Sequence, residues 1–263
     1  MSSIELVVEG VVRATDGLVN WYLVVDERGV LAIDAGLPRH WGLLQDALAF
    51  AGRSTADLRA VLLTHGHSDH TGFARRAQEE LGAEVFVHSA EERLLRQPFR
   101  GLESERLILR YAGNASALRA LFQMLAGGAA RPTRLARWTP LLLDGGAGGS
   151  LAAGSSGSSS LEGLPGSPTI LHTPGHTRGH CAVLLASHDV LVCGDALVTY
   201  DPYTGAHGPR LVARAATWDS TEARASLEVI AAAPARVVAP GHGEVWTHGA
   251  AEAARLARAA VHG

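Results

Sequence analysis

The stretch Thr64-His65-Gly66-His67-Ser68-Asp69-His70 places three imidazoles and a carboxylate within six residues, directly behind the apolar run Ala60-Val61-Leu62-Leu63. A short apolar run of this kind reads as a buried strand, so the donors fall on the loop at its end. Imidazole nitrogen is a borderline-soft ligand and carboxylate oxygen a hard one. Together they suit a first-row divalent ion such as zinc. Packing gives no reason to crowd three histidines, which repel one another when protonated. A His/Asp cluster this dense marks a metal or catalytic site.

Three further segments repeat the same design. Ile170-Leu171-His172-Thr173-Pro174-Gly175-His176, Val190-Leu191-Val192-Cys193-Gly194-Asp195 and Val237-Val238-Ala239-Pro240-Gly241-His242-Gly243 each run from an apolar strand through a glycine turn to a ligand-type residue. Glycine beside the ligand lets backbone approach closely, and loops at strand ends are where a rigid scaffold carries its chemistry. Around these segments, strands are predicted at 4–8, 18–25, 30–33, 60–63 and 84–87, with helices at 41–51 and 71–81 ending at Gly52 and Gly82. The last third predicts strands at 169–172, 181–186, 189–193 and 236–239, and helices at 220–232 and 249–261. Strands alternating with helices make an α/β layer architecture, and the similar order of the two halves suggests a pseudo-symmetric sandwich. One domain over residues 1–263 is expected. It carries a helical, Arg/Leu/Ala-rich insertion at 89–138 and a Gly/Ser-rich loop at 144–168, whose composition reads as mobile and unable to build a core.

Composition narrows the function classes. A net charge of −3 is not the basic footprint of a nucleic-acid binder. Every basic side chain is Arg; the chain has no Lys, which excludes a Schiff-base lysine and a phosphate-loop lysine. Cys181 and Cys193 both sit inside apolar runs, so buried free thiols are expected and not a disulfide framework. Residues 1–5 show no basic leader, and no apolar run reaches membrane-spanning length. A cytoplasmic protein acting on a small molecule, with no nucleic-acid or membrane partner, is the expectation.

Taken in order, the His-x-His-x-Asp-His run, His176 behind Thr-Pro-Gly, Gly194-Asp195 and Pro240-Gly241-His242-Gly243 resemble the signature of the metallo-β-lactamase superfamily. The resemblance extends from Asn20 and the Ile33-Asp34-Ala35-Gly36 turn to His242. It implies an αβ/βα four-layer sandwich with two metal ions at one edge, zinc first, with iron or manganese as alternatives. His65, His67 and His176 would hold the first ion. Asp69, His70 and His242 would hold the second, and Asp195 would bridge both. Asp34 would orient a ligand histidine by accepting its other ring N–H. His180 is assigned a structural hydrogen bond. His172 is placed near the ligands but outside them. His40, His88, His188, His207, His248 and His262 are read as ordinary surface or turn residues.

Departures from known branches of the superfamily point to the chemistry. Flavodiiron-type proteins carry Glu where this chain has His67. True β-lactamases of one class carry Cys in place of the bridging Asp, and another class lacks that Asp. The ligand set instead resembles glyoxalase II, the acyl-homoserine lactonases and the phosphodiesterases. Only about one helix follows His242, against the helical domain of glyoxalase II. Val198 stands where the lactonases place a Tyr, with Tyr200 two residues on. The expectation is a hydrolase in which a hydroxide bridging two metal ions cleaves a small ester, thioester or lactone. Asp69 and Tyr200 are the candidate catalytic side chains, the phenol as a donor to a developing oxyanion. The alternatives are a single-iron persulfide dioxygenase, a phosphodiesterase-type hydrolase and a non-catalytic metal-binding protein.

Overall fold

The computed structural model describes residues 2–97, 104, 108–131, 133–143, 150–152, 161 and 163–262. Parts of the expected helical insertion, 98–103, 105–107 and 132, lie outside the described residues, as do 144–149, 153–160 and 162 of the Gly/Ser-rich segment.

Two sheets face each other. The first takes its strands in chain order: β1 (Ser3–Val8), β2 (Val11–Thr15), β3 (Asn20–Asp26), β4 (Gly29–Ile33), β5 (Leu58–Leu62), β6 (Glu84–His88) and β7 (Thr139–Leu141). The pairs through β4 are antiparallel. From β4 onward they are parallel, and parallel neighbours need a crossover. Helices α1 (Trp41–Phe50) and α2 (Ala74–Leu81) supply it. The second sheet has the order β14 (Val237–Pro240), β11 (Val190–Gly194), β10 (Cys181–Leu185), β9 (Thr169–His172) and β8 (Ser150–Ala152). Helix α5 (Ser220–Ala232) crosses between β11 and β14, and α6 (Ala250–Ala259) follows. A hairpin of β12 (Val198–Tyr200) and β13 (His207–Arg210) stands apart from both sheets.

Strand periodicity divides the apolar residues into three layers. On β3, Trp21 and Leu23 face α1 and α2, while Tyr22 and Val24 face the opposite sheet. On β10 and β11, Val183, Leu185, Val190 and Val192 enter the same inter-sheet layer, while Ala182, Leu184, Leu191 and Cys193 pack under α5 and α6. Helix, sheet, sheet, helix is the four-layer αβ/βα arrangement, with three apolar seams between the layers.

The segment after β6 carries α3 (Glu92–Arg96) and α4 (Ala115–Ala126). Helix α4 packs Ala120 with Leu18, Val19 and Leu37 and turns Leu118, Leu121, Phe122 and Leu125 outward. The Asn114 side chain at its start donates to the Thr204 carbonyl in the β12–β13 turn (3.1 Å).

Strand direction places the site. Strand β9 is antiparallel to β10, β10 to β11, and β11 is parallel to β14. So β9, β11 and β14 all end at the same edge, as β4 and β5 do in their own sheet. The donors predicted from the sequence sit just beyond these ends. The edges are stitched together there: Cys181 N–H donates to the Thr64 carbonyl (2.9 Å) and Asn20 N–H to the Gly241 carbonyl (2.8 Å).

The Gly/Ser-rich segment corrects one expectation. Ser150–Ala152 pairs with β9 as the sheet's edge strand, and Leu161 and Leu164 are buried in the inter-sheet layer. Flanking polar residues masked these two leucines in the sequence.

Candidate metal centre

At this edge the ring nitrogens of His65, His67 and His176 converge. His176 Nε2 lies 3.2 Å from His65 Nε2 and 2.9 Å from His67 Nδ1, and the last two are 3.1 Å apart. Beside them His242 Nε2 lies 3.6 Å from an Asp69 oxygen, and His70 Nε2 lies 3.9 Å from the same oxygen. Asp195 stands between the two groups. Its Oδ1 is 3.6 Å from His70 Nε2, and its Oδ2 is 3.2 Å from His242 Nε2 and 3.5 Å from His176 Nε2. His65, His67 and His176 form one potential metal-holding group and Asp69, His70 and His242 another; His65 and His70 with Asp195 link them.

These residues suit cations. His70 Nε2 and Asp195 Oδ1 are buried without a hydrogen-bond partner among the described residues, and such an atom ordinarily costs about 1–3 kcal/mol. Both belong to one group of donor atoms within 4.8 Å of one another. A divalent ion is the partner that nitrogen and carboxylate donors at this spacing accept.

Charge is divided across the centre. Burial, and then the neighbouring imidazoles, hold His65 well below the usual imidazole range. Burial and His67 do the same for His176. These rings are neutral, with lone pairs open for ligation. Burial opposes charge on His70 too, but Asp195, Asp34 and Asp69 outweigh it and raise this group to about 10. His242 is raised to about 9, with Asp195 outweighing its burial. Asp195 is itself held well below the carboxylate range, because His242 and His70 outweigh its desolvation.

The outward-facing ring atoms are fixed by the scaffold. His70 Nδ1–H donates to Asp34 Oδ2 (2.8 Å). Thr64 donates to Asp34 from its N–H (2.8 Å) and its hydroxyl (2.9 Å), and His65 Nδ1–H donates to that hydroxyl (3.0 Å). One carboxylate thus orients two imidazoles, one directly and one through Thr64. Asp34 occupies a left-handed backbone conformation (φ 64°), which Asp tolerates better than most residues. His180 accepts from the Asp195 N–H at Nε2 (3.0 Å) and donates from Nδ1–H to Thr173 Oγ1 (2.9 Å). It positions the Asp195 backbone. His242 Nδ1–H donates to the Leu18 carbonyl (2.6 Å).

A family model of the metallo-β-lactamase superfamily matches residues 14–242. The chain belongs to the metallo-β-lactamase superfamily. It is 30% identical over 196 residues to the uncharacterized protein Rv2581c of Mycobacterium tuberculosis, covering 73% of this chain and 71% of that one. It is 24% identical over 204 residues to the probable metallo-hydrolase YflN of Bacillus subtilis, covering 73% of this chain and 66% of the relative's length. Among solved structures, the metallo-β-lactamase family protein TTHA1429 of Thermus thermophilus superposes with a TM-score of 0.64 at 25% identity, over 97% of this chain and 80% of that one. A metallo-β-lactamase from Erythrobacter litoralis superposes with a TM-score of 0.65 at 17% identity, over 98% and 96%. The superfamily binds metal ions.

The sequence reading passed over a residue that braces the centre and misplaced two histidines. Glu91 is fully buried. Its Oε2 accepts from the Gly66 N–H (2.8 Å) and its Oε1 from the Gly179 N–H (2.6 Å). Burial raises its pKa, against the pull of Thr177, Gly179 and Gly66. One carboxylate therefore ties the His65–His67 loop to the His176–His180 loop. Nothing at Glu91 signalled this, since an acid in the run Ser89-Ala90-Glu91-Glu92-Arg93 reads as a helix surface. His40 and His88, read as surface residues, are both buried. His40 Nε2 lies 3.1 Å from Asp16, and His88 stacks on His172 at 4.6 Å.

The tyrosines separate. Tyr200 sits half-buried on β12 with its ring 4.9 Å from His207. Tyr203, in the turn that follows, lies 5.8 Å ring to ring from Tyr111. Desolvation raises its phenol, and the Asp69 and Asp195 charges raise it further.

Two predictions arise here. Asp34→Asn removes the shared acceptor while keeping its shape, and metal affinity falls about 10–100-fold. Competition against a chromophoric chelator measures this, and an unchanged affinity refutes the orienting role. The second concerns pH. Asp16 accepts from the Leu18 and Val19 N–H groups (2.9 and 3.0 Å) and pairs with Arg39 and His40. Desolvation works against its charge, but His40, Val19 and Arg39 hold it well below the usual range. A depressed carboxyl stabilises the fold above its unfolded pKa of about 4, and that stability is lost as pH falls through the folded value. Asp16→Asn should therefore lower the melting temperature at pH 7, with the gap to wild type shrinking steadily below about pH 4. A gap that stays constant in thermal melts across that range contradicts it.

Proposed function

We propose that this chain is a binuclear metallo-hydrolase that cleaves a small ester, thioester or lactone. The carrying observation is the pair of donor groups sharing Asp195. Two divalent ions bound there, zinc by preference, would supply Lewis acidity and a bridging hydroxide nucleophile at neutral pH. His65, His67 and His176 would hold one ion; Asp69, His70 and His242 would hold the other, with Asp195 between them.

The chain's own groups do the rest. Asp69 Oδ2 faces His242 and His70; its carboxylate would help hold the second ion and would accept the proton given up when water becomes that hydroxide. His180 keeps Asp195 in place. Tyr200, on the strand that follows Asp195, is the candidate donor toward a developing oxyanion, with Tyr203 in the next turn as the alternative. Among the described residues no helix is long and apolar enough to cross a membrane. The buried free thiols Cys181 and Cys193 suit a reducing compartment, consistent with a cytoplasmic enzyme.

The test is metal analysis followed by turnover assays. About two zinc ions per chain, with ester, thioester or lactone hydrolysis abolished by chelation and restored by zinc, is the expected result. A single iron with oxygen consumption on a persulfide overturns it, as does silence of the zinc-loaded protein across all three substrate classes.

A further inference from the structure

The loop that carries His242 is gripped from the opposite sheet by one side chain. Asn20 opens β3 and is buried. Its backbone N–H donates to the Gly241 carbonyl (2.8 Å). Its Nδ2 donates twice more, to the Pro240 carbonyl (2.9 Å) and to the Gly243 carbonyl (2.7 Å). A carboxamide nitrogen has two N–H donors, and both are spent on the carbonyls that bracket Gly241-His242. The two acceptors also settle which way the amide points, since only its nitrogen can donate.

The same segment sets the ring. The Leu18 carbonyl, two residues before Asn20, receives His242 Nδ1–H (2.6 Å), and Asp16 holds the Leu18 and Val19 N–H groups. Backbone and ring of His242 are thus both tied to residues 16–20. His65, His67 and His176 are braced elsewhere, through Thr64 and Glu91. The two donor groups have separate supports.

Asn20 can be removed without orphaning what it holds. The Pro240 carbonyl keeps the Tyr22 hydroxyl (2.7 Å), and the Gly243 carbonyl keeps Arg13 Nη1 (3.2 Å). Satisfying these oxygens is therefore not what requires the amide. Tyr22 and Arg13 each reach one carbonyl; among the described residues only Asn20 donates to both. It adds a short, rigid span across the ligand, and a metal donor must be held to within about 0.5 Å.

We propose that Asn20 is a positioning residue for the second ion. By fixing the 240–243 loop it sets His242 Nε2 against Asp69 and Asp195. It thereby controls metal affinity at the Asp69, His70 and His242 group and not at the three-histidine group. The proposal rests on the two-ion reading of the centre and on no particular substrate.

Competition of zinc against a chromophoric chelator tests one group at a time. His67→Ala leaves the Asp69, His70 and His242 group complete, and Asp69→Ala leaves the three-histidine group complete. Asn20→Leu, which nearly keeps the volume and removes both side-chain donors, and Asn20→Ala are made in each background and in the wild type. In the His67→Ala background each should weaken the remaining zinc about tenfold. In the Asp69→Ala background each should leave it unchanged. Hydrogen exchange of the metal-free proteins gives a second readout. The Thr199 and Gly241 N–H groups, which donate to the His242 and Gly194 carbonyls, should exchange faster in the Asn20 variants, and the Gly66 and Gly179 N–H groups should not. Equal losses of affinity in both backgrounds overturn the proposal, as does no loss in either. Unfolding of both metal-free Asn20 variants also overturns it, since the residue is then structural. A wild type that takes two zinc ions while the variants give any of these results defeats the proposal alone. A wild type that takes a single ion defeats the two-ion reading and the proposal with it.

Discussion

His67→Ala should abolish the proposed hydrolytic turnover, by roughly 10³-fold or more, about 4 kcal/mol of barrier, while leaving the fold in place. His67 is the half-exposed member of the three-histidine group; His65 and His176 are buried. Removing its ring therefore trims the rim of the site and opens no internal cavity, the usual cause of large destabilisation in a core. Its Nδ1 nonetheless lies within 3.1 Å of both partner nitrogens, so the group drops from three donors to two. Asp69→Ala should behave alike, as it removes a donor of the other group. Turnover assays beside thermal melts of the metal-free proteins check this. Retained activity in either variant would sink the mechanism, and a melting temperature several degrees lower without metal would show that His67 is structural.

The convergence of the candidate donors was legible because each depends on a local pattern: an apolar strand, a glycine turn, a donor. The turn glycines that flank them are tightly enclosed, which is why the pattern is strict. A Cβ on Gly241 would come within 2.1 Å of Asp195 Oδ1, and one on Gly175 (φ +126°) within 2.0 Å of the Ala223 backbone nitrogen. Strand β2 was not legible, because Arg13 interrupts its apolar run. Arg13 is buried even so, with its charge spent on Glu5, Glu244 and the Gly243 carbonyl. The β12–β13 hairpin escaped because its strands are short and carry Gly208 and Pro209, which argue against strand. His40 and His88 were misplaced for a related reason. Burial of a polar side chain is decided by partners distant in sequence, such as Asp16 and His172, and no local pattern carries them.

Glu91 is the extreme case of that blindness, and its removal has the second large effect. Glu91→Ala leaves the Gly66 and Gly179 N–H groups buried with no acceptor, each costing about 1–3 kcal/mol. A total loss of about 3–5 kcal/mol is expected, the size seen when a buried polar network is broken. The damage should also reach function, because the two N–H groups flank His65, His67, His176 and His180. With the shared carboxylate gone, the loops lose their common anchor and the three-histidine group loses its fixed spacing. Metal affinity should then fall at least about tenfold. Glu91→Gln is the finer probe: it keeps the volume and one acceptor oxygen, but turns an amide N–H₂ toward one of the two donors. It should therefore lose stability and affinity between wild type and alanine. Denaturant melts and chelator competition on the three proteins measure both. A glutamine variant equal to wild type in each would mean that Glu91 fills space, and that its two hydrogen bonds do not hold the centre together.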